Sequence, residues 1–322
     1  MYRARSAEES AALERLRERL LSSGEFSSSA AGRRMLASFG GGDLCLLRFL
    51  RARELDVAKA AEALTATLAF RNENGVGAPQ TVAAVRSEGV ADWWCGTFAG
   101  TTSTGCPVTY WRFRCIEADQ LKQRFDDAQL NRFYAAWMER GLALQREAAV
   151  SGNGCPGMVD IYDMEGVRWG QMSSGVRLLS GVLSVAQAHY PENLSQAFLI
   201  NAPSFFAGAW RLISGVIDKR TQQKFAIRKD GAAGALDAVL GSAAGPAGTA
   251  RRESIWQIGD RQLGGGSDEV VQLSAECGWR HERSLVVGPN DCANGHGSGG
   301  GTGRRLLWCF DLEGERERAR LR

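Results

Sequence analysis

Side chains suited to covalent chemistry are sparse in this chain. Two of its three histidines, His281 and His296, stand in a Gly-rich stretch, which leaves His189 as the one base placed beside regular structure. No G-x-S-x-G elbow supplies a nucleophile for it to activate. Cys277 with His281, and Cys292 with His296, repeat a Cys-x3-His spacing that zinc could use. That spacing is not a standard finger, and PNDCANGHGSGGGTG offers no scaffold to fix it. The expectation is binding rather than catalysis, with no metal and no cofactor.

Groups better placed to bind than to react gather in residues 189–228, HYPENLSQAFLINAPSFFAGAWRLISGVIDKRTQQKFAIR. Tyr190 closes an apolar helical pattern, Pro191 prevents its continuation, and Glu192 therefore sits at a corner. The apolar run Ala197 to Ile200 reads as a central strand, stopped by Asn201-Ala202-Pro203. Ser204 is a candidate cap for a helix over 204–217. That helix carries Phe205, Phe206, Trp210, Leu212, Ile213, Val216 and Ile217, too broad an apolar surface for one face of a surface helix. Two readings fit the pattern: a buried core helix, or a lid over a greasy ligand.

The elements that must position this stretch follow from periodicity. Residues 1–42 read as a flexible lead with one polar amphipathic helix carrying Leu13, Leu16 and Leu20 on one side. Asp43 and Asp56 can each cap a helix, giving a helical hairpin over LCLLRFLRARE and VAKAAEALTATLAFRNENG, with Arg48, Arg51 and Arg53 projecting around the first arm. After a loop with Trp93 and Trp94, PVTYWRFRCI reads as a strand, and Asp126 caps a long helix. GMVDIYDMEG is a buried-strand pattern, and MSSGVRLLSGVLSVAQAHY is a helix with Val176, Leu179, Leu183 and Ala186 inward. Strands alternating with helices at these lengths predict an α/β fold with a mostly parallel sheet. From Gly241 onward, GSAAGPAGTA is a small-residue linker, followed by weak strand-like pieces and a charged end. The expected organisation is a lead over 1–42, a helical region over 43–80, an α/β domain over 81–245 and a Gly-rich, β-prone tail over 246–322.

Composition narrows the partners. The net charge of +3, from 39 basic and 36 acidic residues, gives no field suited to nucleic acid. No run approaches the ~20 apolar residues that span a bilayer, and MYRARSAEESAALERLRERLL lacks the apolar core of a secretory signal. Eight scattered cysteines fit reduced thiols. A soluble cytoplasmic monomer is expected.

The segments LLRFLRARELD with the helix after it, DMEG, HYPE, LINAP and AWRLISGVIDKRTQQK run in order from Leu46 to Lys224. Together they resemble the CRAL-TRIO lipid-binding family, in particular its phosphatidylinositol-transfer branch. The resemblance implies that Arg53, Glu192, Thr221 and Lys224 hold a phosphoinositol headgroup. Lys224 would meet a phosphate as a point charge, Thr221 would donate to a phosphate oxygen and Glu192 would accept from inositol hydroxyls, with Arg53 acting through its neighbours. The competing view of the same residues is an ion pair between Glu192 and Lys224 and a solvated charge at Arg53. Phe205, Phe206, Trp210, Ile213, Val216 and Ile217 would form a lid that swings at a membrane. The branch often binds phosphatidylcholine through hydroxyls, but the aligned positions here are Phe98, Thr109, Met158 and Asp160, and only Thr109 keeps one. Lys219 also replaces the proline that follows the lid aspartate in the family. The C-terminal tail faintly resembles part of a GOLD β-sandwich.

The function so implied is non-catalytic binding of phosphatidylinositol and its transfer between membranes, with transient membrane association. The alternatives are a carrier of a tocopherol, retinoid or sterol precursor, an adaptor that senses membrane composition, and a lipid hydrolase built on His189.

Overall fold

The computed structural model describes residues 6–23, 26, 29–94, 96–102, 104–150, 157–215 and 217–229. The Cys-x3-His pairs, the linker at 241–250, the tail over 246–322 and Val216 lie outside the described residues. Helix α1 (Ala7–Ser23) opens on a reciprocal capping box. The Glu9 amide donates to Ser6 Oγ at 3.1 Å, and the Ser6 amide to Glu9 Oε2 at 3.1 Å. The lead expected before residue 43 thus contains a helix, and that helix is packed: Ala12, Leu13 and Leu16 are fully buried. After α2 (Ala30–Ser38), α3 (Gly42–Ala52) and α4 (Val57–Glu73) form the expected hairpin. Asp56 caps α4 through the Lys59 amide at 3.0 Å. Asp43 falls inside α3 instead and pairs with Arg17 of α1, tying the lead to the hairpin.

The loop expected before the first strand contains α5 (Pro79–Glu88), with proline in the first turn, and a short 3-10 turn at Val90–Trp93. An edge strand β1 (Gly96–Thr101) follows, which alternation alone does not show because GTFAGT is Gly-rich and its register breaks between Phe98 and Gly100. Strand β2 (Pro107–Arg112) is shorter than PVTYWRFRCI suggests, its last residues turning into a 3-10 segment at Phe113–Cys115. Then come α6 (Ala118–Arg124), α7 (Asp127–Val150), β3 (Met158–Asp163), α8 (Met172–His189) and β4 (Leu194–Ile200). The described chain closes with α9 (Phe206–Ser214), a four-residue helical turn α10 (Lys219–Gln222) and β5 (Phe225–Ile227).

Among the described residues the sheet has the order β1-β2-β3-β4-β5, antiparallel only at β1 and parallel from β2 to β5. The mixed α/β architecture with a mostly parallel sheet is therefore as expected. Pleating divides the strands. Val108, Tyr110, Val159, Ile161, Phe198 and Ile200 share one buried cluster on one face. Residues of the opposite parity, Thr109, Trp111, Asp160 and Tyr162, face α7 and α8. Helix α7 comes close to β3 at Gly141, where a Cβ would overlap the Met158 sulfur. A larger residue there would require the flexible Met158 side chain to shift.

Candidate functional site

Between that face of the sheet and helices α3, α7 and α8 lies a cavity of about 950 Å³. Its interior is aromatic and aliphatic, with Trp94, Trp111, Tyr134, Trp137, Leu178 and Val182 among the lining. Its polar wall includes Arg53, Glu192, Thr221 and Lys224. The structure thus brings all four sequence-predicted headgroup residues to one cavity, from the end of α3, the turn after α8 and the segment that leads into β5.

The turn after α8 is held by groups that sequence reading missed. Glu192 has a φ of 56°, a left-handed conformation uncommon outside glycine. Its carbonyl accepts from Arg48 Nη1 at 3.3 Å, and Arg48 Nη2 donates to Gln145 Oε1 at 3.1 Å. Gln145 Nε2 in turn donates to Asn193 Oδ1 at 2.5 Å. Arg48, Gln145 and Asn193 are all buried, so Arg48 does not project from α3 as its surroundings in LLRFLRARE suggest. The helix faces inward there, and the guanidinium also lies 5.8 Å from the Phe39 ring centre. Buried hydrogen bonds of this kind are directional and strengthened by the low local dielectric, so they hold the turn in place. An arginine set between Leu47 and Phe49 in an apolar run was the available signal.

On the other side, Asp218 caps α10 through the Thr221 amide at 2.8 Å, and its own amide donates to Gln187 of α8 at 3.0 Å. Gln222 Nε2 donates to the carbonyls of Ser214 and Ile217 at 2.9 and 2.7 Å. This corner places Thr221 and Lys224. Glu192 and Lys224 do not pair with each other. Glu192 Oε2 accepts from Arg220 at 3.2 Å, whose other nitrogen reaches the Arg51 carbonyl at 3.4 Å, and Lys224 Nζ donates to the Leu194 carbonyl at 2.7 Å. Arg220, with its side chain 55% exposed, is an added member of the wall rather than a strong brace. Burial lowers the pKa of Lys224, with Arg220 and Arg48 adding to that effect while Glu192 and Asp218 oppose it. Arg53, half-buried, donates to the Ala52 carbonyl at 3.3 Å beside two further left-handed residues, Glu54 and Leu55.

The residues expected in a lid divide. Phe206, Ile213 and Ile217 are buried with Phe113, Met164, Leu199 and Ala202. Trp210 is half-buried, 5.1 Å from the Phe225 ring centre, and only Ile217 of this set lines the main cavity. Phe205 packs edge-on against Trp169 at 5.2 Å, and Trp169 and Leu212 are 70% and 67% exposed. The helix is shorter than 204–217, because the Phe206 amide bonds to the Pro203 carbonyl and Ser204 remains in the turn. A second cavity, of about 60 Å³, lies under α9 and shares Phe113, Ile116, Tyr162, Leu179, Leu183 and Phe225 with the first.

The sequence comparisons agree with this architecture. The CRAL/TRIO domain model matches residues 93–238, and the CRAL/TRIO N-terminal domain model matches residues 12–66, together more than half of the chain. The chain belongs to the CRAL/TRIO family. The N-terminal match begins inside α1, in keeping with that helix being packed on the hairpin. A CRAL-TRIO domain-containing protein of Caenorhabditis elegans is 28% identical over 187 residues, covering 58% of this chain and 26% of that protein. The phosphatidylinositol/phosphatidylcholine transfer protein SFH9 of Arabidopsis thaliana is 25% identical over 185 residues, covering 56% of this chain and 32% of that protein. This CRAL/TRIO chain therefore matches about a quarter to a third of the length of those two relatives. The crystal structure of Sfh5 superposes with a TM-score of 0.52 at 18% identity, covering 71% of this chain and 83% of that one, and so supports the fold.

Proposed function

We propose that this protein binds phosphatidylinositol and transfers it between membranes, with α9 as a mobile cover. The observation that carries the reading is the cavity in which Arg53, Glu192, Thr221 and Lys224 form the polar wall of a largely aromatic interior. Two acyl chains carry on the order of 30 methylenes, each worth about 0.8 kcal/mol against water, so an unassisted lipid leaves a bilayer with difficulty. An apolar cavity cancels most of that cost. Charge-assisted contacts to the head then set selectivity. The name of the Arabidopsis relative, a phosphatidylinositol/phosphatidylcholine transfer protein, supports the lipid class. The shared lining of the two cavities supports a role for α9, since displacing Phe206, Trp210 and Ile213 would open the larger toward the surface.

Binding rather than hydrolysis is favoured by the setting of His189. Its ring stacks on Phe70 at 4.1 Å, its Nδ1 lies 3.1 Å from Thr67 Oγ1, and it is not among the residues lining the cavity. Burial lowers its pKa to about 4, well below the range useful for a base near neutrality. The test of the transfer reading is Lys224→Ala in a vesicle-to-vesicle assay with labelled phosphatidylinositol. Transfer should be lost while the thermal transition is retained. Undiminished transfer overturns the headgroup assignment.

A further inference from the structure

Two buried acids that the headgroup reading does not use line the cavity, Glu9, which is bonded to Arg51, and Asp160. Asp160 is 8% exposed and lines the cavity from β3, between Met158 and Tyr162. Strand register puts it in a row that runs Phe98, Thr109, Asp160, Ala197, Phe225 across the sheet. Its oxygens are held by donors: Thr109 Oγ1 donates to Oδ1 at 2.6 Å, and the Tyr162 hydroxyl to Oδ2 at 2.9 Å. Thr109 itself accepts from the Trp111 indole N–H at 2.7 Å, so the threonine proton is committed to the carboxyl. A carboxylate has about four acceptor sites, and these two bonds use half of them. Among the described residues no basic side chain pairs with it, and burial raises its pKa. Lys224 precedes Phe225, two strands away, or roughly 10 Å at ordinary strand spacing.

We infer that Asp160 is an inner recognition group that selects a lipid whose head donates a hydrogen bond, either a hydroxyl or a protonated amine. The inference rests on the reading of this cavity as a lipid site. A carboxyl placed in an aromatic interior, oriented by two hydroxyls and with acceptor capacity left, suits a donor and penalises a head that lacks one. Phosphocholine is such a head. Its quaternary nitrogen carries no N–H, and its phosphate would lie near a carboxyl while the lining cations Arg51, Arg53, Lys219, Arg220 and Lys224 belong to the end of α3 and the segment before β5.

The experiment uses the full chain and measures binding of retinol, of its methyl ether and of sphinganine, the first two by energy transfer from cavity tryptophans and the third by displacement. Retinol or sphinganine should bind at least about tenfold more tightly than the ether. Asp160→Leu should abolish that margin, which separates loss of the donor from the bulk of the methyl group. Asp160→Asn, which retains an acceptor but no charge, should weaken sphinganine more than retinol and so tells an amine head from an alcohol. Equal binding of retinol and ether with no binding of sphinganine overturns the inference, and that wild-type comparison stands even if a variant fails to fold. Retention of the margin in folded Asp160→Leu also overturns it. If none of the three binds while phosphatidylinositol is transferred, the role of Asp160 falls alone; if phosphatidylinositol is not transferred either, the lipid reading of the cavity falls with it.

Discussion

The turn at Glu192 lines the larger cavity and helix α9 lines the smaller one that shares part of its wall, and the two are secured by opposite means. The turn is fixed by a buried polar chain from Arg48 through Gln145 to Asn193, whose bonds are directional and leave one arrangement. Helix α9 is held mostly by apolar side chains, Phe206, Ala209 and Ile213, on a surface that it shares with a small cavity. Its polar ties are at the ends, at Asn201, which donates to Asp163 at 2.9 Å, and at the Gln222 bonds to the carbonyls of Ser214 and Ile217. Apolar contacts are nondirectional and can be exchanged for a lipid or a bilayer, whereas broken buried hydrogen bonds cannot be replaced there. On the proposed reading, the polar turn would recognise the head and the apolar helix would move.

The largest effect should follow from breaking the polar chain. Arg48→Met removes the donor to the part-buried Glu192 carbonyl and to the buried Gln145. A loss of about 2–6 kcal/mol is expected in urea unfolding, since two neutral acceptors lose their donor at about 1–3 kcal/mol each. A loss under about 1 kcal/mol would mean that the turn does not depend on it. Next in size is Ile213→Ala. In a rigid core that change costs about 2–5 kcal/mol. If α9 opens separately, less of that cost reaches global unfolding, and amide exchange should accelerate in α9 while the 190–194 turn stays protected. Equal acceleration in both segments would erase the contrast.

Smaller still is the effect of the exposed apolar tip. Trp169→Ser with Leu212→Ser should change stability by no more than about 0.5 kcal/mol, since both side chains are largely exposed. Co-sedimentation with vesicles should nevertheless fall if these groups supply apolar area to a membrane interface, as the proposed function requires. Unchanged sedimentation would remove α9 from the membrane contact.

How much of this was legible in sequence depended on whether the signal was local. The α3–α4 hairpin, α7, α8 and the strands β2 to β4 follow from caps and periodicity, whereas Arg53, Glu192, Thr221 and Lys224 are singled out by a family resemblance, and the structure places them on one cavity wall. The edge strand β1 and α5 did not, because GTFAGT has too little alternation and the loop around Trp93 masks the proline start of α5. The pairing of Glu192 with Arg220 rather than Lys224, and the burial of Arg48, depend on elements brought together from positions 28 and 144 residues apart in the chain. Asp160 was visible only as a departure from a hydroxyl pattern. Its partner Thr109 is set by strand register, which a single strand does not reveal.

The smallest expected effect is a dependence on pH, and it distinguishes the two jobs of the wall. Lys224 has a folded-state pKa below the ordinary value of 10.5, with burial as the main cause. Its charged form is therefore disfavoured in the folded protein, and the unfolded chain binds more protons between the lowered value and 10.5. Stability from this group is thus gained as pH rises through that window and is at its lowest below it. Binding of an anionic head through the same ammonium should change in the opposite direction, weakening as Lys224 loses its proton. Comparing wild type with Lys224→Met isolates the group from other titrating side chains. The difference in unfolding free energy should shift in favour of wild type on going from neutral to alkaline pH, while the wild-type advantage in phosphatidylinositol binding shrinks. If both quantities rose together, Lys224 would be acting through the Leu194 carbonyl as a structural brace and not through its charge on a ligand.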